Sequence, residues 1–213
     1  VTTVLTILLA YPMAYWIAFR GGRHKSTYLF LILLPFFVTF VIRTISWQFL
    51  LADDGIVLGR LKSWGLLPET FHFLATPTAV VGGLVYNFLP FMVLPIYVAL
   101  ERIDRVLLEA ASDLYATRRE VFRRVVLPLS LPGVFAGVLL TFVPAAADYV
   151  NAQILGGSGQ VMVGNVIETL YISNSQYPQA SALSSILLAA LLIGIFIYAR
   201  VLGTRNVLDA SAG

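Results

Sequence analysis

Long apolar runs limit how this 213-residue chain can fold more than anything else in it; they lie at 1–19, 27–51, 77–100, 127–150 and 182–202. A transmembrane helix needs about 20 mostly apolar residues to cross roughly 30 Å of hydrocarbon, and these runs meet that length. Inside hydrocarbon each backbone N–H and C=O must find its partner within the segment, so such runs fold as helices. Composition agrees: 59% of residues are hydrophobic and 12% charged, against roughly 45–50% and about 25% in soluble domains. The sequence predicts an all-α membrane protein of about five transmembrane helices, forming a single domain over 1–213.

Orientation follows from the cations. Arg20, Arg23 and Lys25 occupy the first connection, Arg102, Arg105, Arg118, Arg119, Arg123 and Arg124 the third, and Arg200 and Arg205 the end of the chain, whereas the alternate loops hold only Arg60 and Lys62. The positive-inside rule then puts the loop 101–126 and the C-terminus in the cytoplasm, and the loops 52–76 and 151–181 outside. The same distribution accounts for the net charge of +3 without a nucleic-acid partner. The absence of Cys excludes disulfides and thiolate metal sites, and His24 and His72 fall in loops on opposite faces, where they cannot share a metal. Val1 starts directly in an apolar run with no basic segment or cleavage site before it. That points to an upstream span, although an odd number of spans with an outer N-terminus is also allowed.

Within the loop 101–126, Ile103, Val106, Leu107, Ala110, Ala111 and Leu114 recur at helical spacing and form one apolar face, expected to pack on the membrane domain. Arg105, Glu109 and Asp113 form another. A second short helix is expected at 118–126, with Val121, Phe122 and Val125 opposite Arg119, Arg123 and Arg124, ending where the next span begins at Leu127–Pro128. Two readings fit: a solvated hairpin that merely links two spans, or a handle for a soluble partner. Pro12, Pro35, Pro90, Pro95, Pro132 and Pro144 fall within the spans, either as breaks suited to a protein that rocks or as the prolines membrane helices commonly tolerate.

The wording of the loop goes further. Glu109-Ala110-Ala111, three residues, Tyr115, nine residues, then Val125, any residue, Leu127 and Pro128 resembles the EAA motif of the permease subunits of binding-protein-dependent ABC importers of the type I fold. The family usually has Gly where Tyr115 stands, at a tight turn that only Gly enters freely, so Tyr115 puts the geometry of that turn in question. The segments LLPFFVTFVIRTISWQFLLADDGIV (33–57), TPTAVVGGLVYNFLPFMVLPIYVALERID (76–104) and GGSGQVMVGNVIETLYISNSQYPQASA (156–182) are similar to those of spermidine/putrescine permeases. Relatives for ferric iron, aminoethylphosphonate, sulfate or molybdate share the scaffold.

This resemblance implies a coupling helix around Glu109, Ala110 and Ala111, continuing through Asp113, Tyr115, Ala116, Thr117 and Arg118, seated in a cleft of an ATPase dimer. It also implies a second permease subunit and an extracytoplasmic substrate-binding protein. The chain has no G-x-x-x-x-G-K-[ST] loop, so ATP and Mg are expected on the partner ATPase and no cofactor on this chain.

Charges inside spans are costly, about 2.5–3.5 kcal/mol at the helix centre on insertion scales, so Arg43 and Asp148 stand out. They could pair with one another or reach separately to the outer surface. Alternatively Asp148, with Tyr149 and Trp47, could receive a polyamine through ion pairing and cation–π attraction. Asn87, midway along the third span, fits a substrate contact or a link between helices. Glu168 is a lesser substrate candidate, and Gly156–Gly159 reads as a turn against a binding protein or a plain connection. A passive channel would not need a structured cytoplasmic loop. A membrane-embedded enzyme would need a nucleophile and base or a metal centre, and the spans supply no His or Cys.

Overall fold

Helices begin and end where the apolar runs do, with three instructive exceptions. The structure, a computed structural model, describes the backbone of residues 1–157 and 159–210 and side chains as far as Arg200. Ser158 and the Arg205 side chain lie outside the described residues. The helices are α1 (Thr2–Arg20), α2 (Lys25–Leu33), α3 (Phe40–Leu51), α4 (Leu58–Ser63), α5 (Pro77–Glu101), α6 (Arg105–Asp113), α7 (Arg118–Val121), α8 (Leu127–Ala147), α9 (Val150–Leu155), α10 (Val163–Glu168) and α11 (Tyr177–Ala210). Four helical stretches, Thr2–Arg20, Pro77–Glu101, Arg118–Ala147 and Tyr177–Arg200, are long and apolar enough to cross a membrane, and a pair bent by 93°, Gly22–Phe37 with Phe40–Leu51, counts as a fifth when taken as one broken span.

The first exception is that broken pair, predicted as one span over 27–51. A 3-10 turn at Leu34–Phe37 interrupts it, and Thr39 takes an extended conformation (φ −53°, ψ 138°) before α3 starts. Pro35 sits in this turn, where its missing N–H is tolerated. The other predicted breaks do not occur: Pro12, Pro90 and Pro95 lie inside continuous helices, and so do Pro132 and Pro144.

The second exception is the helix predicted to stop at Leu127–Pro128. Instead α7 runs through a π-helical turn at Phe122–Val126 into α8, with the Leu127 N–H donating to the Phe122 carbonyl. Pro128 has no N–H for the Arg124 carbonyl, and a widened turn ahead of it carries the helix past that gap. The third is the outer segment 151–181, read as a Gly-rich loop. It folds into α9, α10 and a second π-helical turn at Thr169–Ser173. α11 starts before residue 182 and stays helical past residue 202, the limits of the apolar run.

The chain forms two compact units, one of residues 1–2, 34–87 and 143–192, the other of 3–33, 88–142 and the chain from Ile193. In the second unit the core is made of Ala10, Ala14 and Ala18 on one face of α1, packed with Met92, Val93, Ile96 and Leu100 of α5, plus Ile103 and Val126. Small residues let helices approach closely where lipid removes most of the hydrophobic drive to associate. α8 uses the same device: a Cβ on Gly133 would meet the Pro95 carbonyl oxygen at 2.5 Å and the Ala99 Cβ at 2.5 Å, and one on Gly137 the Met92 Sδ at 2.6 Å. This is a G-x-x-x-G face, unread in the sequence. Tyr11 Oη and Ser130 Oγ share a 2.8 Å hydrogen bond, and Lys25 Nζ donates to Glu101 at 2.8 Å, joining two loops assigned to the same membrane face.

In the first unit Ala79, Val80, Leu84, Ala152 and Leu155 are buried. The Ala75 N–H donates to the Leu155 carbonyl at 2.9 Å, again joining loops assigned to one face. Asp53 accepts from Lys62 Nζ at 2.8 Å and lies 2.6 Å from His72 Nδ1, folding the outer loop 52–76 on itself. These partners, Lys62 first, hold the Asp53 carboxyl below its ordinary range.

The hairpin over 101–126 is closed at every end. Asp104 caps α6 by accepting from the Val106 N–H at 2.9 Å. Thr117 and Glu120 form a capping box on α7: Glu120 Oε2 accepts from the Thr117 N–H at 2.8 Å, and Thr117 Oγ1 accepts from the Glu120 N–H at 3.4 Å. Between them α6 ends in a Schellman motif, with Ala116 N–H donating to the Ala111 carbonyl at 3.2 Å and Tyr115 N–H to that of Ser112 at 3.0 Å. The residue between such bonds must be left-handed, and Tyr115 has φ 60°. The turn expected of Gly is therefore kept with a tyrosine in it.

Two outcomes follow. Left-handed backbone costs a side-chain-bearing residue roughly 1–2 kcal/mol, offset in part by the flexibility Gly adds to the unfolded chain, so Tyr115→Gly should stabilise the turn by about 0.5–1 kcal/mol. That corresponds to a roughly two- to fivefold slowing of Ala116 amide exchange; unchanged or faster exchange would count against the strain. Gly133→Leu should lower the thermal midpoint in detergent through overpacking of about 1–3 kcal/mol, and a midpoint equal to wild type would show that α8 does not depend on this contact.

Candidate functional site

Two groups of residues combine unusual chemistry with a fixed geometry, and each belongs to one unit. The first is the hairpin. Its caps hold α6 and α7 rigidly, yet its apolar face is not packed on the rest of the chain as expected: Val106 is 63% exposed, Leu107 49%, Leu114 82% and Tyr115 95%. Of the first helix and its lead-in, Ile103 is buried in the core and Leu108 packed against it, while Val121, Phe122 and Val126 of the second helix pack there. The reason lies in α6 itself, which meets the core through its first turn alone and projects the remainder outward. Glu109, Ala110, Asp113, Thr117 and Arg118 are exposed, and Ala111 and Ala116 half-buried. A face of exposed leucine, valine and tyrosine bordered by Glu109 and Asp113 has the composition of a protein contact.

Beside it, Arg119, Arg123 and Arg124 with Thr117 and Glu120 line a cavity of about 530 Å³.

The second group is a buried polar chain in the other unit. Asp148 Oδ1 accepts from the Asn151 N–H at 2.8 Å, and Oδ2 from Asn151 Nδ2 at 3.2 Å. Asn87 Nδ2 in turn donates to Asn151 Oδ1 at 3.1 Å and to Thr44 Oγ1 at 3.2 Å, and Thr44 donates to the Phe40 carbonyl at 3.1 Å. The direction of the chain is set from its ends. An ionised Asp148 only accepts, so Asn151 turns its amide nitrogen toward it and its oxygen toward Asn87. Asn87 must then offer its nitrogen, and its own Oδ1 is left buried with no hydrogen-bond partner among the described residues. A side chain on Gly83 would strike Asn151 Oδ1 at 2.8 Å, so a bare glycine backbone there lets α5 and α9 close on the chain.

The sequence-derived residues thus separate. Asp148 and Asn87 are linked through Asn151, which, like Thr44, was not anticipated; the D-x-x-N spacing of a local cap was the only signal, and it is weak. Arg43 does not pair with Asp148. It is 7% exposed, with its guanidinium 4.3 Å from the centre of the Phe36 ring and 5.9 Å from that of Phe40, and its Nε has no hydrogen-bond partner among the described residues. Trp47 packs edge-on against Tyr86 at 5.1 Å. Tyr149 lines a separate, mostly apolar cavity of about 450 Å³ with Glu168 and Tyr171. Gly156 and Gly157 belong to a closed turn, in which the Gly157 N–H donates to Gln160 Oε1 at 2.8 Å. Among the described residues no cluster of His, Asp or Glu suits a metal ion.

Comparison with known proteins places this arrangement. The spermidine/putrescine transport system permease protein PotB of Haemophilus influenzae is 38% identical over 200 residues, covering 94% of this chain and 70% of the relative. PotB of Escherichia coli K12 is 33% identical, covering 94% and 73%. The solved bacterial alginate ABC transporter, crystallised with an alginate pentasaccharide-bound periplasmic protein, superposes with a TM-score of 0.73 at 20% identity, covering 93% of this chain and 74% of the other, a likeness of fold. Residues 4–205 match the family described as binding-protein-dependent transport system inner membrane component. The chain belongs to that family, as a multi-pass inner-membrane permease of the ABC transporters and not an enzyme.

Proposed function

We propose that this permease imports polyamines of the spermidine/putrescine class. It does so together with a second permease subunit, identical or not, two ATPase subunits that bind ATP and Mg, and an extracytoplasmic binding protein. The observation that carries the coupling part is the hairpin: its helices are capped, and α6 is apolar on a face that the described residues leave uncovered. Glu109, Ala110 and Ala111, with Asp113, Tyr115, Ala116, Thr117 and Arg118, seat in the ATPase cleft. There Glu109 accepts charge-assisted hydrogen bonds, each worth about 1.5–3 kcal/mol. The hairpin and the C-terminus face the cytoplasm, a sidedness supported by the cation distribution and by the Lys25–Glu101 and Ala75–Leu155 contacts, each of which joins loops assigned to a single face.

For the substrate, support comes from the names of the relatives and from the acceptor chemistry of the polar chain. Asp148 supplies the negative charge. Asn87 supplies a buried carbonyl oxygen with an unused lone pair, the complement of an alkylammonium N–H. Trp47, Tyr149 and Arg43 are assigned to the same pathway with less support, since none of them joins the polar chain. Ferric iron, aminoethylphosphonate, sulfate and molybdate are the alternatives within the family.

Accumulation of labelled spermidine in vesicles holding this chain, the subunits encoded beside its gene and its binding protein should depend on ATP. If spermidine-loaded binding protein stimulates neither ATP hydrolysis nor uptake in the assembled complex, the polyamine assignment is wrong while the permease class stands. Glu109→Arg combined with Ala111→Trp should reduce uptake at least tenfold at unchanged protein level, and uptake at the wild-type rate would remove the coupling role. Asn87→Leu should lower uptake about fivefold or more while the thermal midpoint falls by only a few degrees; a lower midpoint with normal uptake would make Asn87 a link between helices.

A further inference from the structure

The cavity lined by Arg119, Arg123 and Arg124 is not part of the exposed apolar face, and its construction calls for a ligand of its own. In a regular α-helix Arg119 and Arg123 share a face and Arg124 turns away. The π-helical turn at Phe122–Val126 adds a residue to the turn, so that side chains four and five apart converge, and all three arginines line one concavity with Thr117 and Glu120. π-helical turns of this kind recur at functional sites. None of the three arginines forms an ion pair among the described residues, where the ion pairs are Lys25–Glu101, Lys62–Asp53 and His72–Asp53. The one carboxylate present is already engaged: Glu120 Oε2 accepts from both the N–H and the hydroxyl of Thr117 at 2.8 Å. The cavity therefore presents three guanidinium groups against a single carboxylate.

Depth and surroundings identify the ligand. Arg123 and Arg124 precede Leu127, where α8 begins, by a distance of about 5–6 Å at 1.5 Å per residue, which is headgroup level for a helix that enters hydrocarbon there. Further along α8, Leu129 and Leu131, on different sides of the helix, are 46% and 43% exposed and offer acyl chains apolar surface just beyond the arginines in sequence. A planar guanidinium binds phosphate oxygens through paired hydrogen bonds, and basic pockets beside spans on the cytoplasmic side suit anionic headgroups.

We propose that Arg119, Arg123 and Arg124 form a binding site for the phosphate of an anionic phospholipid at the base of the hairpin, tying α7 to the inner leaflet. The siting in the inner leaflet rests on the sidedness proposed above, whereas binding itself does not.

Phosphatidylglycerol retained per chain would be counted by mass spectrometry on the full chain in detergent micelles, with phosphatidylcholine as the neutral control. Wild type should retain phosphatidylglycerol in preference. The triple variant R119Q/R123Q/R124Q should lose at least tenfold, and the double variant R20Q/R23Q, which removes cytoplasmic charge elsewhere, should lose little. Glu120→Gln, which keeps the shape of the cap and takes a negative charge from the cavity, should strengthen retention two- to threefold. Wild-type retention by the triple variant, or an equal loss in R20Q/R23Q, overturns the site. Release of the lipid by millimolar inorganic phosphate overturns the lipid in favour of a soluble anion, and loss of ATPase association with retention intact overturns it in favour of an acidic protein partner. Should the triple glutamine variant not stay folded, the triple lysine variant decides: a loss of threefold or more supports paired guanidinium binding, and none overturns it. Because micelles have no sidedness, these outcomes are independent of topology, which fails separately if a C-terminal tag is cleaved only from outside.

Discussion

Hydrocarbon offers no partner to backbone polar groups and solvates apolar side chains as well as protein does, and both halves of that statement shape this protein. The first half forces the spans into helices. The second removes the usual reason for helices to stick together, since lipid tails are as apolar as leucine. What remains is close packing, and the chain spends its smallest residues on it: the Ala10, Ala14 and Ala18 face of α1 against α5, and the Gly133 and Gly137 face of α8 against Met92 and Pro95. Large apolar side chains are free to point outward, as Ile186, Leu188, Leu192, Ile193, Phe196 and Ile197 of α11 do.

Exposed apolar surface therefore means different things along this chain. On α11 it lies in a stretch long enough to span a bilayer and needs only lipid. On the hairpin it sits among Arg105, Glu109 and Asp113, where lipid tails cannot cover it without stripping those charges of water. An apolar face that is too polar at its edge for the bilayer and too apolar for water is satisfied by protein. The caps at Asp104 and Thr117 hold the ends of α6 and α7 that present this face.

The spans were legible because their signal is additive over some twenty residues: the run 77–100 became Pro77–Glu101 almost residue for residue. What was misread depended on one or two residues. Pro35 lies in the turn that interrupts a span and Pro90 inside a continuous helix, and no local pattern separates the two. The helical content of 151–181 was hidden because α9 and α10 are each a six-residue helix, below the length at which periodicity can be recognised. In the polar seam, Asp148 and Asn87 were visible as polar residues inside apolar runs. Asn151 was not, because it falls just past the predicted end of a span, where an asparagine is unremarked; its separation of 64 positions from Asn87 is bridged only by the fold. The Thr117-x-x-Glu120 capping box, by contrast, was readable as a motif and would have set the start of α7.

Tyr115 shows how local strain and function meet in one residue. Two backbone hydrogen bonds enclose it, at 3.0 and 3.2 Å, and a typical one contributes about 0.5–1.5 kcal/mol net. Left-handed backbone costs a tyrosine roughly 1–2 kcal/mol, so the motif alone comes close to balance and no surplus explains the choice of residue. Nor does packing explain it, because the ring is 95% exposed and touches nothing that would reward its size. A glycine would make the same turn at lower cost. What the ring offers is exposure at the tip of the hairpin, and a rigid aromatic with few rotamers is the kind of group that anchors a protein interface.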